Sequence, residues 1–239
     1  MSVSRPVIAA IHQPQYLPWL GYFAKMDQAD VFILLDDVQF KKNDWQNRNR
    51  IRTPQGWQWL TVPVRHRFGQ TVAEVEIDRR AGDDWARRHR KALWMNYAKA
   101  PFFERWRPFF DRFYTARWER LVDLNIEGVK ALAGMLGIQT PMVLASEFRV
   151  RRQGTGRLID LCRAVGADTY LAGADGNKYM DRALFDASGL RLVFQEFAHP
   201  VYRQQWAKGP EDFVSRLSVV DLLFNHGQDS LNVLRGEQT

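Results

Sequence analysis

His12 and Gln13 stand directly after the apolar run Ile8 to Ile11, and Asp36 and Asp37 directly after a second run, Val31 to Leu35. A histidine at such a strand end, beside a polar loop, suits a general base or a hydrogen-bond donor to phosphate. Adjacent aspartates face opposite sides of a strand and rarely act as one dyad. One of them could bind Mg²⁺ or a substrate amine or hydroxyl, leaving the other structural. A third polar cluster, Gly173-Ala174-Asp175-Gly176-Asn177-Lys178, follows the apolar run that ends at Ala172. It could wrap an anion with backbone N–H groups, with Lys178 as counter-charge, or be a tight turn that merely needs glycine. It lacks the glycine spacing and the Lys-Ser/Thr pair of a Walker A loop.

Other side chains could hold a ligand around these groups. Gln13, Tyr16, Asp36, Gln39 and Asn47 offer hydrogen bonds, Trp19 and Trp45 offer faces for stacking, and Lys42, Arg48 and Lys178 could neutralise phosphate. Asn47, Arg48, Asn49 and Arg50 alternate as an exposed strand would. Trp45, Trp57 and Trp59 lie among Arg48, Arg50 and Arg52, a mixture that could stack on nucleobases, although no RNA-recognition signature accompanies it. A sugar or a single nucleotide would suit the same residues. His66, His89, His199 and His226 show no ligand spacing, and no metal site is assigned; His89, among arginines, reads as a solvated helix residue. No Ser/His/Asp triad can be drawn. The single cysteine, Cys162, excludes an intrachain disulfide and a multi-cysteine zinc site, and its helical pattern predicts burial.

These groups reach one place only if the elements between them take a particular form. Continuous apolar runs separated by an amphipathic segment predict parallel strands with a crossover helix. The polar ends of parallel strands then open on one edge, where open α/β sheets bind ligands. The predicted fold is one α/β domain over residues 1–239, mainly a parallel sheet flanked by helices. Into it are set an antiparallel strand insertion over 41–80 and an aromatic-rich helical block over 83–137. Within the insertion, Gln58 to Val64 and Ala73 to Ile77 read as strands. In the block, Asp83 or Asp84 caps a helix from Trp85 to Tyr97, and Gly137 ends the third helix. Beyond it the pattern returns to strand and helix, with a helix from Tyr179 to Ala187 and a last one beginning at Pro210.

The 239 residues carry a net charge of +7, and the excess lies in the first half: 21 − 13 = +8 through Arg120 against 13 − 14 = −1 beyond. Such a half suits an anionic partner, whether a small-molecule substrate such as a nucleotide or a phosphorylated sugar, RNA, or an anionic membrane surface; solvated helix faces account for it equally. Met1 to Pro6 lacks a leader pattern, and no apolar run reaches the roughly 20 residues that span a bilayer. The expectation is a cytoplasmic protein without a transmembrane segment.

Several segments carry a likeness: Ile11 to Phe23, Leu35 to Phe40, Asn43 to Ile51, Tyr170 to Gly173, His199 to Tyr202 and Ser218 to Gly227. Together they resemble the WbqC-like family of bacterial proteins over nearly the whole chain. That resemblance implies a setting, since members belong often to gene clusters for O-antigen and other surface-glycan assembly. The opening order of strand, Pro-containing loop and helix also resembles pantothenate synthetase and related nucleotidylyltransferases, implying a core of that kind. Those proteins carry His-x-Gly-His on the first helix, where this chain has Pro18-Trp19-Leu20-Gly21-Tyr22, so ATP use does not carry over.

The expected function is transfer of an acyl, aminoacyl or nucleotidyl group in surface polysaccharide biosynthesis, from or to a nucleotide or nucleotide-linked sugar. His12 and Asp37 are its catalytic candidates, with a nucleotide and Mg²⁺ as the cofactors in view. The competing expectations are a non-catalytic RNA-binding module and a scaffold for glycan-assembly enzymes.

Overall fold

A computed structural model describes residues 5–80, 84–178 and 180–237. In chain order it begins with β1 (Ile8–His12), α1 (Leu20–Asp27) and β2 (Val31–Leu34). Four short strands follow: β3 (Arg48–Thr53), β4 (Gly56–Thr61), β5 (Val64–Arg65) and β6 (Glu76–Ile77). Three helices come next, α2 (Asp84–Tyr97), α3 (Phe103–Thr115) and α4 (Leu121–Leu136). Strand and helix then alternate as β7 (Met142–Leu144), α5 (Gly154–Ala164), β8 (Thr169–Ala172), α6 (Arg182–Ser188) and β9 (Arg191–Phe194). The chain closes with α7 (Val219–His226) and α8 (Ser230–Arg235). Asp83 and Tyr179 lie outside the described residues. No helix among those described is long and apolar enough to cross a membrane.

The chain divides into two compact units. The first comprises Met1–Gln13, Tyr22–Asp37 and Gln139–Ala198, and the second Pro14–Gly21, Val38–Ile138 and His199–Thr239.

The first unit is built on a five-stranded sheet in the order β7-β2-β1-β8-β9. Every pairing in it is parallel, with His12 opposite Leu34 and Ala10 opposite Leu171. Such a sheet is covered on both faces, which explains why β8 is buried along its whole length. Ile11, Ile33, Ile159, Cys162, Tyr170 and Phe185 share its core. The chain lays strands outward from β1 to one side, through β2 and β7, and then returns to place β8 and β9 on the other. The order therefore reverses between β1 and β8.

The second unit holds the antiparallel strands and most of the helices. β3 and β4 form a hairpin in which Arg50 faces Trp59, and β5 pairs with β6; both are two-stranded sheets of their own. Gly56, at φ +120°, closes the hairpin where a side chain would be strained. Phe103, Phe110, Phe113 and Tyr114 are buried on α3, although Pro108 stands inside that helix. Phe224 of α7 packs among Tyr97, Phe103 and Phe110 at ring separations of 5.1–5.3 Å.

Local boundaries differ from the sequence reading in four places. Gln58 to Val64 is not one strand: β4 ends at Thr61 and β5 starts at Val64, with Pro63, which has no N–H to donate, between them. Of Ala73 to Ile77 only Glu76 and Ile77 pair as a strand, because Glu74 caps the preceding turn by accepting from Thr71 N–H at 2.7 Å. Pro210 to Asp212 makes one isolated turn, and the helix starts at Val219, where Ser218 Oγ accepts from Val220 N–H at 3.3 Å. The helix placed from Tyr179 begins at Arg182, where Asp181 accepts from Leu184 N–H at 3.1 Å.

Candidate functional site

The switch point of the parallel sheet lies between β1 and β8, whose carboxyl ends are His12 and Ala172. In open α/β sheets this is the place where the loops diverge and leave a crevice for a ligand. His12 is half-buried and its ring packs 4.8 Å from that of Tyr22. Its Nδ1 lies 3.3 Å from the Gln13 carbonyl. A carbonyl only accepts, so the neutral ring carries its proton on Nδ1 and leaves Nε2 with a lone pair. Burial, then the charge of Lys25, lowers the His12 pKa to about 3.

Lys25 comes from α1 and is 3 % exposed. Its Nζ donates to the carbonyl of Ile11, next to His12, at 2.8 Å. Burial lowers its pKa to about 7, and Cys162 nearby opposes that shift. Cys162 is fully buried, its thiol pushed up to about 12, which leaves it unreactive.

Beyond β8 the Gly173 cluster coils into a short 3-10 turn over Ala174–Lys178, in which Gly176 N–H donates to the Gly173 carbonyl at 2.9 Å. A Cβ at Gly176 would come within 2.7 Å of Met180 Cε, the flexible end of that side chain, and 3.3 Å from the Ala172 Cβ. Lys178 and Asp175 are both exposed and pair at 2.6 Å, so the lysine has a counter-charge within its own turn. One strand over, Asp36 is buried and uses both oxygens on Ser146, from N–H at 3.0 Å and from Oγ–H at 2.7 Å. Asp37 Oδ2 is ion-paired with Arg157 of α5, and Asp37 Oδ1 is buried without a partner. This pair already holds a guanidinium and a serine. Among the described residues no group of three or more His, Cys, Asp or Glu could hold a metal ion.

The first unit thus holds His12, Gln13, Asp36, Asp37, Gly173, Asp175, Gly176 and Lys178 of the predicted residues. Tyr16, Trp19, Gln39, Lys42, Trp45, Asn47 and Arg48 belong to the second unit. There Tyr16 is 0 % exposed, its hydroxyl 2.8 Å from His89 Nδ1 and 2.7 Å from the Tyr114 hydroxyl. His89 is therefore no solvated residue. Arg87 and Arg88 of the same helix pair with Asp84, while His89 turns inward, 6 % exposed, with its pKa lowered to about 3 by burial. Asn47 is buried, donating to the Val62 carbonyl at 3.0 Å and accepting from Asn43 N–H at 3.1 Å. Asn49 donates at 2.7 Å to the carbonyl of Leu17, a residue held at φ 42°. These amides fix the Pro-rich loop by its backbone.

Trp19 is half-buried and stacks on His199, 6.3 Å between centroids. It lies over Gly21, where a Cβ would meet its ring at 2.2 Å. Gln39 is exposed and bridges to Thr71, and Lys42 is exposed. Trp45 packs 5.8 Å from Trp59, on which the Arg48 guanidinium sits at 4.3 Å, and that of Arg50 lies 4.9 Å from Trp57. Cations of this chain thus already lie against the indoles.

Sequence reasoning did not single out Lys25, Ser146, Arg157 or Asp221. Lys25 sits inside an apolar helix face, which is a signal in itself; Ser146 and Arg157 lie far along the chain from the carboxylates they hold. Asp221 is buried in α7 and accepts from the hydroxyls of Tyr97 and Tyr202 at 2.8 and 2.9 Å and from Gln204 at 3.0 Å. Burial raises its pKa to about 6 against those hydrogen bonds.

A family model described as the WbqC-like protein family matches residues 13–233. The chain is also 36 % identical over 230 residues to an uncharacterized protein, Rv1507c, of Mycobacterium tuberculosis, a match covering 95 % of this chain and 96 % of that one. No solved structure matches.

Proposed function

The chain belongs to the WbqC-like protein family, and on that premise we propose that it serves bacterial surface polysaccharide biosynthesis as a transferase. It holds a nucleotide or nucleotide-linked sugar at the carboxyl edge of its parallel sheet. The observation that carries this reading is the reversal of strand order between β1 and β8, with His12 at one strand end and the Gly173 turn at the other.

The chemistry follows from the tautomer of His12. An acceptor O–H or N–H attacks the electrophilic carbon or phosphorus of the donor, Nε2 takes that proton, and the leaving group departs with the bonding pair. With a pKa near 3 the ring is by itself a poor base. A bound phosphate brings negative charge beside the ring and raises that value, so basicity appears with the substrate. Gln13 orients the donor, and Asp37, kept in place by Arg157, receives the acceptor on its free oxygen.

Calorimetric titration with nucleoside diphosphates and nucleotide sugars tests the reading, with the His12 ring followed by NMR. Binding that raises the His12 pKa, and that weakens in His12→Ala, is the expected result. Absence of binding across those ligands, or binding that leaves the ring untouched, refutes it. Steeply salt-sensitive RNA binding in their place would favour the RNA-binding module.

A further inference from the structure

Phe68 is 96 % exposed, against 37–69 % for the other exposed large apolar side chains. Single exposed apolar residues are common on protein surfaces; the setting of this one is not. It occupies the turn Arg67-Phe68-Gly69-Gln70, closed by Gln70 N–H donating to the Arg67 carbonyl at 3.3 Å and by Arg67 N–H donating to Gln70 Oε1 at 2.6 Å. Gly69, at φ +86°, supplies the left-handed residue that the reversal needs. The base of the turn is pinned as well. Phe40 N–H donates to the Gln70 carbonyl and Val72 N–H to the Val38 carbonyl, both at 2.9 Å, and the ring of His66 packs 5.3 Å from Phe40. The backbone therefore presents the phenyl ring to solvent by construction.

The two segments paired at the base of this turn carry basic residues. Arg65 and Arg67 precede Phe68 in one, and Lys41 and Lys42 follow Phe40 in the other; all four are exposed. Asp44 pairs with Lys41 at 2.9 Å, Glu76 with Arg65 at 3.5 Å, and Glu74 is held by Thr71. Arg67 and Lys42 have no ion pair among the described residues. An aromatic tip on net positive segments matches the interface of an anionic leaflet, where aromatic rings settle at headgroup level and basic side chains meet phosphate. A protein partner fits less well, because a stable interface needs about 800 Å² from each side and one ring on a narrow turn offers far less. A bilayer admits a single ring without a matching pocket.

We propose that the Phe68 turn docks this chain on an anionic membrane surface, through ring insertion and the charges of Arg67 and Lys42. The contact is reversible, since one ring and a few charges make a weak anchor. It stands whether or not the sheet edge takes a nucleotide.

Co-sedimentation of the full chain with phosphatidylcholine vesicles, with and without phosphatidylglycerol, tests it. The wild type is expected to sediment with the anionic vesicles and to be released by high salt, which shortens the Debye length to about 3 Å at 1 M. Phe68→Ala should lower the partition coefficient about tenfold, and Phe68→Trp should keep it. Arg67→Ser with Lys42→Ser should remove the phosphatidylglycerol dependence. Circular dichroism matching the wild type shows that each variant is folded, as expected for exposed positions. Equal sedimentation of Phe68→Ala and wild type, indifference to phosphatidylglycerol, or capture of a protein through Phe68 without vesicle binding would each overturn the proposal.

Discussion

Two histidines in this chain, His89 buried and His12 half-buried, are held neutral by the same physics and put to different uses. His12 keeps Nε2 open at a strand end, whereas His89 has its Nδ1 engaged by the Tyr16 hydroxyl at 2.8 Å and its other side near the Thr61 backbone. With Nε2–H directed to that backbone, Tyr16 donates to His89 and Tyr114 donates to Tyr16, so each polar group in the cluster is satisfied. Tyr16→Phe removes the central member and leaves an imidazole nitrogen and a phenol buried without partners. An unsatisfied buried group costs on the order of 1–3 kcal/mol, so this variant should lose about 2 kcal/mol in urea unfolding without losing any ligand bound at the sheet edge. Loss of ligand binding with stability intact would instead make Tyr16 a substrate residue. The sequence could suggest Tyr16 and His12 as polar residues near a strand end. It could not show that one hydroxyl faces a histidine 73 positions away.

At the scale of elements, the parallel strands were legible because strands buried on both faces write themselves as unbroken apolar runs. The helical block was legible through its periodic aromatics and the glycine at 137. β3 was harder, since Arg-Asn-Arg-Ile-Arg-Thr looks like a solvated segment; its inward residues are held by amide hydrogen bonds that composition does not announce. The last helix was misplaced because Pro210 is a strong local start signal, while Ser218 and Asp221 matter through tertiary contacts. Asp221 joins three elements: Arg52 N–H of β3 donates to the Tyr97 hydroxyl of α2 at 2.8 Å, and that hydroxyl donates to Asp221 of α7 at 2.8 Å. Asp221→Asn keeps the volume but replaces one acceptor oxygen by a donor, which must then face a hydroxyl or an amide that is itself donating. A loss of about 2 kcal/mol is expected, seen as a lower urea midpoint at unchanged slope. An unchanged midpoint would mean that this carboxylate is protonated or dispensable in the folded chain.

Across the whole molecule these buried groups set how stability responds to pH, and their signs differ. His12 and His89 have folded pKa values lowered from 6.5 to about 3, so between those values the unfolded chain binds the extra protons and stability falls on acidification. His89, at 6 % exposed, carries the larger share; half-buried His12 is partly screened by water. Asp221 runs the other way, its pKa raised from 3.8 to about 6, so in that interval the folded chain binds the extra proton and acid stabilises it. Two histidines against one aspartate leave a net difference near one proton at pH 5, which corresponds to about 1 kcal/mol of stability lost per unit of pH. Lys25 adds a separate window: lowered from 10.5 to about 7, it makes stability rise with pH between those values. Urea midpoints measured from pH 4 to 9 should therefore climb to neutrality and keep climbing beyond it, and Asp221→Asn should steepen the acid limb by removing the opposing group. A flat acid limb would show that the histidines take up protons in the folded state, and His12 would then be a cation available to phosphate from the outset.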